Sequence, residues 1–434
     1  MRILSYPEQA KEVLRAFDPP VAKEQELASR VRMIIEAVRQ NGDNALVEFA
    51  AQFDGANLSA KSLRVPEGEL KKAWESLPTP LKDALRFAKS RIEKFHKAQK
   101  TKGYVLREKG VRLEHRVLPL QRVGVYVPGG KAAYPSTVLM NVIPAKVAGV
   151  KEIAMVTPAR GKNGIAASLL GAAWLVGVRE VYPVGGAQAV AALAFGTESI
   201  PRVDKVVGPG NVYVAMAKRL LFGTIDIDMI AGPSEILIIA DDSADPQFVA
   251  ADLLSQAEHD ESAAAILIVI GKNFPVAGMV SEISKQAEKC TRRKIIEESL
   301  TNNGLLVRVA DRKTAVELAN RKAPEHLEVL VRNPRGLARQ LKNVGSLFIG
   351  PWAPVPLGDY VAGPNHTLPT DGTARFTSPL SVSAFLKESQ VIEISKEGLK
   401  KLAGPACVLA EAEGLPAHAE AVRIRLREKK RDGA

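Results

Sequence analysis

Four of the six histidines stand beside a second residue that can bind a metal or move a proton. In SQAEH, Gln256 and His259 are three residues apart, which puts both on one face of a helix, within reach of one ion. APEH joins Glu325 to His326 directly after Pro324, and GDYVAGPNH holds Asp359 and His366 in a loop rich in Gly and Pro. EGLPAH places Glu413 and His418 on either side of a break between two helix-like stretches. Imidazole and carboxylate suit general acid–base catalysis, and the same groups bind divalent metals. No spacing here matches a zinc finger or HExxH, so spacing alone does not establish a metal. His96 and His115 lie in charged, helix-like or hairpin-like contexts and read as surface residues.

Glycine supplies the second kind of chemistry. VPGG (127–130), VGGAQ (184–188), VGPGN (207–211) and AGPSE (231–235) crowd the places where the carboxyl ends of short strands are expected. Glycine lets a ligand approach the backbone closely, and a following helix offers free N–H groups to phosphate. Neither GxGxxG nor GxxxxGK[ST] is present, so neither standard nucleotide fingerprint applies.

Positioning these residues requires sheets. VGVYV, EIAMV, EVYPV and DKVVG are followed by Gly or Pro and then by helix-forming runs; EILIIAD, AAILIVI, GLLVRVA and GSLFIG form a second set. Alternation of this kind predicts two tandem α/β units with mostly parallel sheets, whose ligands are expected beyond the carboxyl ends of the strands. Upstream, apolar periodicity predicts helices over 9–17, 22–41 and 80–100, then a hairpin in TKGYVLREKGVRLEHRVLPL. Two C-terminal helices meet at Gly414, and so small a segment must pack on something larger.

The composition is that of a globular protein, with 46% hydrophobic and 25% charged residues over 434 positions. Its length implies more than one domain. No apolar run reaches the roughly 18 residues of a membrane span, and the N-terminus lacks the pattern of a secretory signal. Two isolated cysteines, Cys290 and Cys407, fit a reduced, cytoplasmic protein. The net charge of +12 raises the possibility of nucleic-acid binding. The excess, however, sits on helix-like segments and in RIRLREKKRD, and aromatics are only 5%, so solvated helix faces account for it.

Read in order, GVYVPGGKAAYPSTVLMNVIPAKVAGV, VGGAQAVAALAFGTESIP, VGPGNVYVA, IDMIAGPSEILIIAD, LLSQAEH, APEHLE, GDYVAGPNHTLPT and EGLPAHAEAV resemble the motifs of the histidinol dehydrogenase family. The resemblance runs from about Ala22 to about Arg425. It implies an α/β fold of two incomplete Rossmann-like domains: 22–125 with 234–380 on the zinc and substrate side, and 126–233 on the NAD side. A small accessory segment, 1–21 with 381–390, and a C-terminal helical segment, 391–434, complete an intertwined homodimer.

By the same resemblance, one Zn²⁺ per subunit is held by Gln256, His259, Asp359 and His418. Substrate meets these four together with Ser234, His326, His366 and Glu413, and NAD meets Tyr126, Gln188 and Asn211. The implied reaction takes L-histidinol through L-histidinal to L-histidine, the last step of histidine biosynthesis, and consumes two NAD. His326 is the implied base and Glu325 the implied activator of water. Pro324 is read as the first residue of a helix whose N-terminus keeps His326 neutral. Zinc joins Gln256, His259 and Asp359 of one subunit to His418 of the other. A paralogous dehydrogenase for another polar alcohol, such as a sulfonated propanediol, is the alternative within the wider family; a zinc hydrolase fits the nucleotide-type sheets less well.

Overall fold

The computed structural model describes residues 1–18, 25–129, 133–159 and 164–427. Gly130 of VPGG, the expected boundary at 21 and 22, and the basic tail from 428 lie outside the described residues.

Strand β1 (Arg2–Ser5) is followed, after several helices, by the hairpin β2 (Tyr104–Glu108) and β3 (Val111–Pro119). Then come β4 (Arg122–Tyr126), β5 (Glu152–Val156), β6 (Glu180–Tyr182), β7 (Lys205–Val207) and β8 (Asp226–Ile227). A second run comprises β9 (Glu235–Ala240), β10 (Ala264–Ile270), β11 (Leu305–Val309), β12 (His326–Leu330) and β13 (Ser346–Ile349). The last strand is β14 (Leu386–Ile394).

Both expected α/β units are present. One is a five-stranded sheet in the order β6-β5-β4-β7-β8, the other a six-stranded sheet in the order β1-β11-β10-β9-β12-β13. Every pairing in both is parallel. Strand β9, the apolar run ILIIA preceded by Glu235, is buried along its whole length, as a central parallel strand requires. Setting aside the edge strand β1, in each sheet the chain starts at an inner strand, builds to one side, then crosses over and builds to the other. The reversals fall between β4 and β7 and between β9 and β12. Such switch points open crevices for ligands.

Two compact units are distinguished along the chain. The first spans 1–99 and 120–385 and holds both parallel sheets. The second, 100–119 with 386–434, contains the predicted hairpin. There β14 pairs antiparallel with β3 from Leu386↔Pro119 to Ile394↔Val111, ahead of helices Lys396–Ala412 and Pro416–Arg423. Strand pairing thus groups the chain differently from the expected accessory segments. β1 is an edge strand of the six-stranded sheet, whereas 386–394 belongs with the hairpin.

The helix expected over 22–41 is described from Gln25 and breaks at Gly42 (φ 52°, ψ -128°), where the Asp43 N–H is bound by the Glu198 carboxylate and a second helix continues to Asp54. His96 is a core residue, with Nδ1 2.9 Å from the Ile92 carbonyl. It falls on the buried stripe of helix Thr79–Lys97, with Leu85, Ala88 and Ile92, and the charged residues around it occupy the other faces.

Candidate active site

The residues before His326 correct one expectation. Helix Arg312–Lys322 starts at Asp311, whose side chain accepts from the Thr314 N–H, and stops at Ala323 in the left-handed conformation (φ 51°). Pro324 therefore follows a helix end, where proline is common because it cannot continue a helix. Glu325 and His326 do not start a new helix. His326 opens β12, paired with Ile236 of β9 on one side and Ser346 of β13 on the other. The imidazole is therefore not in the first turn of a helix.

What acts on it are carboxylates. The His326 Nδ1 lies 3.1 Å from the Glu235 carbonyl and 3.4 Å from Glu325 Oε2, and Nε2 lies 3.7 Å from Asp359 Oδ1. A carbonyl only accepts, so Nδ1 carries the proton in the neutral ring and Nε2 is the basic atom, buried with no hydrogen-bond partner. Burial by itself would lower the pKa of His326, but Glu325, Asp359 and the Glu235 carbonyl carry it up to about 9. The expected neutral imidazole is thus not the state of this chain alone at neutral pH. Burial lifts Glu325 to about 7 against the pull of His326. The Glu325 Oε2 accepts the Glu235 N–H at 2.9 Å.

Sequence reading passed over Glu235 and Lys322. The Lys322 ammonium meets Glu235 Oε2 at 2.6 Å, and both side chains are almost fully buried. A buried pair of this kind beside Glu325 and His326 anchors the stretch Lys322–Glu325 to β9. Nothing in the sequence pairs residues 87 positions apart, so no local signal could have found it.

The helix after β9, Pro246–Ala257, runs back along the sheet and brings buried Gln256, and His259 just beyond, to the amino ends of the strands. Ser234 precedes β9 at that same end. AGPSE thus lies at an amino end, not at a carboxyl end as expected, because it leads into β9 rather than out of a strand. Asp359 lies in the last turn of the short helix Val355–Tyr360 that follows β13. Burial would raise Asp359, yet the imidazoles of His326, His366 and His259 hold it below the usual carboxylate range. His259 and His366 are themselves lowered, chiefly by burial. The His366 Nδ1 is 3.0 Å from the Asp359 carbonyl, and its Nε2 is 3.5 Å from Thr137 Oγ1. His326, Asp359 and His366 line one cleft of about 710 Å³.

These donors fit a zinc ion. A buried carboxylate among imidazoles offers oxygen and nitrogen ligands together, and the buried Gln256 amide has an Nε2 without a partner. Among the described residues no three His, Cys, Asp or Glu side chains form a metal-binding group. One His, one Asp and an amide would not make such a trio. Glu413 and His418 belong to the second compact unit, where both are exposed around the turn between its two helices.

The expected NAD contacts lie on the five-stranded sheet. Tyr126 ends β4, Gln188 sits in the first turn of helix Gly186–Phe195 after β6, and Asn211 caps helix Val212–Leu221 after β7. VPGG, VGGAQ and VGPGN thus follow strand carboxyl ends, as expected, and Tyr126 and Asn211 flank the switch point. The Tyr126 hydroxyl accepts the Gly186 N–H at 3.0 Å, and burial pushes its pKa up to about 12. Gln188 is buried with its Nε2 unmatched. Asn211 Oδ1 accepts from the N–H groups of Tyr213 and Val214, so it also has a purely structural job.

A family model described as histidinol dehydrogenase matches residues 19–426. The chain is 52% identical over 402 residues to a histidinol dehydrogenase of Aquifex aeolicus, covering 93% of each chain. It is also 52% identical over 404 residues to that of Listeria monocytogenes serotype 4b, covering 93% of this chain and 94% of the relative. The crystal structure of histidinol dehydrogenase from Elizabethkingia anophelis superposes with a TM-score of 0.91 at 36% identity, covering 98% of both chains.

Proposed function

This chain belongs to the histidinol dehydrogenase family of NAD-dependent oxidoreductases acting on histidinol, and from that premise we propose how its residues run the reaction. L-Histidinol loses a hydride from its carbinol carbon to NAD as His326 Nε2 takes the hydroxyl proton, giving histidinal. Water then adds to the aldehyde: Glu325 takes a proton from the water and later releases it to solvent, while the His326 imidazolium returns its proton to the former carbonyl oxygen, so the hydrate forms and Nε2 is again free. A second hydride leaves to a second NAD while His326 Nε2 again takes a hydroxyl proton, and histidine results.

The observation that carries this reading is the His326 tautomer. Nδ1–H is committed to the Glu235 carbonyl, so Nε2 is the nitrogen left to act, in the cleft with Asp359 and His366. Positioned bases of this kind contribute about 10²- to 10⁴-fold to rate. Glu325, lifted to about 7, is poised to take up and release a proton near neutral pH.

Gln256, His259 and Asp359 are the residues of the first unit that would hold zinc, with His418 of a second copy as the fourth ligand. The zinc, when bound, supplies positive charge that orients the substrate's amine, imidazole and oxygen. Segment 391–434 docks on the partner of a homodimer in this reading. Its support is that Glu413 and His418 are exposed on two short helices. Tyr126, Gln188 and Asn211 receive NAD at the carboxyl ends of β4, β6 and β7.

Following NADH formation with L-histidinol as the limiting reagent tests the reading. Two NADH per histidinol, with histidine as product, are expected. One NADH with free aldehyde accumulating would overturn it.

A further inference from the structure

Two acids lie beneath this site, Glu328 buried and Asp252 half-buried, and take no part in the reaction as described. Glu328 is two residues along β12 from His326, hence on the same face of the strand, and is 1% exposed. The residues around it are apolar: Leu330, Val355, Leu253 and Leu254 belong to one buried cluster. Asp252 stands one helical turn before Gln256, on the same helix face, and its carboxyl meets that of Glu328. Glu328 Oε1 accepts the Val355 N–H at 3.0 Å, and Val355 opens the short helix Val355–Tyr360 that carries Asp359. Glu328 Oε2 is buried, and among the described residues no N–H or hydroxyl donor reaches it.

Two ionised carboxylates cannot hydrogen-bond to each other, because neither has a donor. A proton must therefore lie between them. The surroundings agree: burial raises Asp252, and burial together with Asp252 raises Glu328 well above the usual carboxylate range. A buried polar bridge is a poor way to stabilise a core, since apolar replacements of similar volume are often neutral or stabilising. What this one does is tie together three elements: the helix bearing Gln256 and leading to His259, the strand bearing His326, and the helix bearing Asp359.

We propose that Asp252 and Glu328 form a neutral, proton-sharing bridge that positions the zinc ligands and the base His326 relative to one another. The inference rests on the zinc-site reading above. Neither residue is a ligand; each is a positioning residue acting through the element it holds. Support of this outer kind is worth about 10- to 100-fold in metal affinity.

The test measures zinc affinity by competition with a chromophoric chelator, using the zinc ion alone on the purified full chain, with thermal melting in parallel. Glu328→Leu should lose at least about tenfold in zinc affinity while its Tm holds or rises. Glu328→Gln can still accept from Val355 and donate to Asp252, so it should stay within about threefold of the wild type. Should Glu328→Leu not fold, Asp252→Ala at its half-buried position is the second variant, with the same tenfold loss expected. Wild-type zinc affinity in Glu328→Leu or Asp252→Ala overturns the bridge as a positioning device. Equal losses in Glu328→Gln and Glu328→Leu overturn the shared proton. His259→Ala separates the two readings: if it too binds zinc like the wild type, the ligand assignment has failed, not the bridge.

Discussion

The imidazole of His326 and the main chain of Glu235 are joined by a 3.1 Å hydrogen bond from Nδ1, while the N–H of the same Glu235 binds Glu325 Oε2 at 2.9 Å. One peptide segment of β9 thus orients both members of the proposed acid–base pair. Its side chain is held in turn by buried Lys322, just before the pair in sequence. The neighbouring strand supplies the geometry through the main-chain N–H and carbonyl of Glu235.

His326→Ala is expected to slow both oxidations by about 10²- to 10⁴-fold, because each hydride transfer needs the hydroxyl proton removed. Glu325→Gln should impair mainly the histidinal step, the only one that needs an activated water. Steady-state rates with histidinol and with histidinal as separate substrates check this. Equal damage to both steps by Glu325→Gln would mean that the carboxylate serves to position His326 instead.

The pH dependence has a definite sign. In metal-free protein His326 is held at about 9, so it is imidazolium and unable to act as base below that pH. Its contribution to stability is fully present below about 6.5, the unperturbed value, and is lost as pH rises through about 9. A cation on Asp359 would cancel one of the charges that raise it, so zinc loading should move the His326 titration downward. Nitrogen-detected NMR titration of the ring, with and without zinc, measures both. A His326 midpoint that zinc leaves unmoved would refute the coupling.

Removing one proposed ligand should remove the metal and leave the fold. His259→Ala and Asp359→Ala are each expected to cost more than the roughly 10- to 100-fold typical of outer-shell changes. Metal content by elemental analysis, with circular dichroism as the control, decides it. Wild-type zinc in both variants rules out the assignment.

Gly208, after β7, has φ +108°, and a Cβ there would come within 2.1 Å of the Tyr126 carbonyl oxygen. Gly208→Ala should therefore cost about 1–3 kcal/mol through backbone strain and displace the switch-point loop. A raised KM for NAD with an unchanged KM for histidinol is the expected kinetic signature. An unchanged KM for NAD would remove this loop from the cofactor site.

Sharing of the active site predicts complementation. Mixing inactive His259→Ala with inactive His418→Ala, under conditions of subunit exchange, gives mixed dimers with one site doubly mutated and one intact. Random pairing should restore about a quarter of wild-type activity, since about half the dimers are mixed and each has one good site of two. No recovery after verified exchange would place His418 in its own chain's site.

The sequence by itself determined the pieces: two sets of parallel strands, the hairpin, the Gly-rich turns after β4, β6 and β7, and the four histidines with polar companions. Period and punctuation are local properties, so one chain carries them visibly. Tertiary structure decided what those pieces do to one another. Pro324 reads equally well as a helix start or as the sequel to a helix stop. Only Ala323 in the left-handed region, and the pairing of His326 with Ile236 and Ser346, settle that Glu325 and His326 enter a strand. The protonation of His326 reversed for the same reason: its field comes from Glu325, Asp359 and Glu235, the last two distant in sequence. Lys322 against Glu235, Glu328 against Asp252 and His96 in the core were equally hidden. A buried charge or imidazole is stabilised by partners that the fold brings from far along the chain, and no spacing rule encodes them.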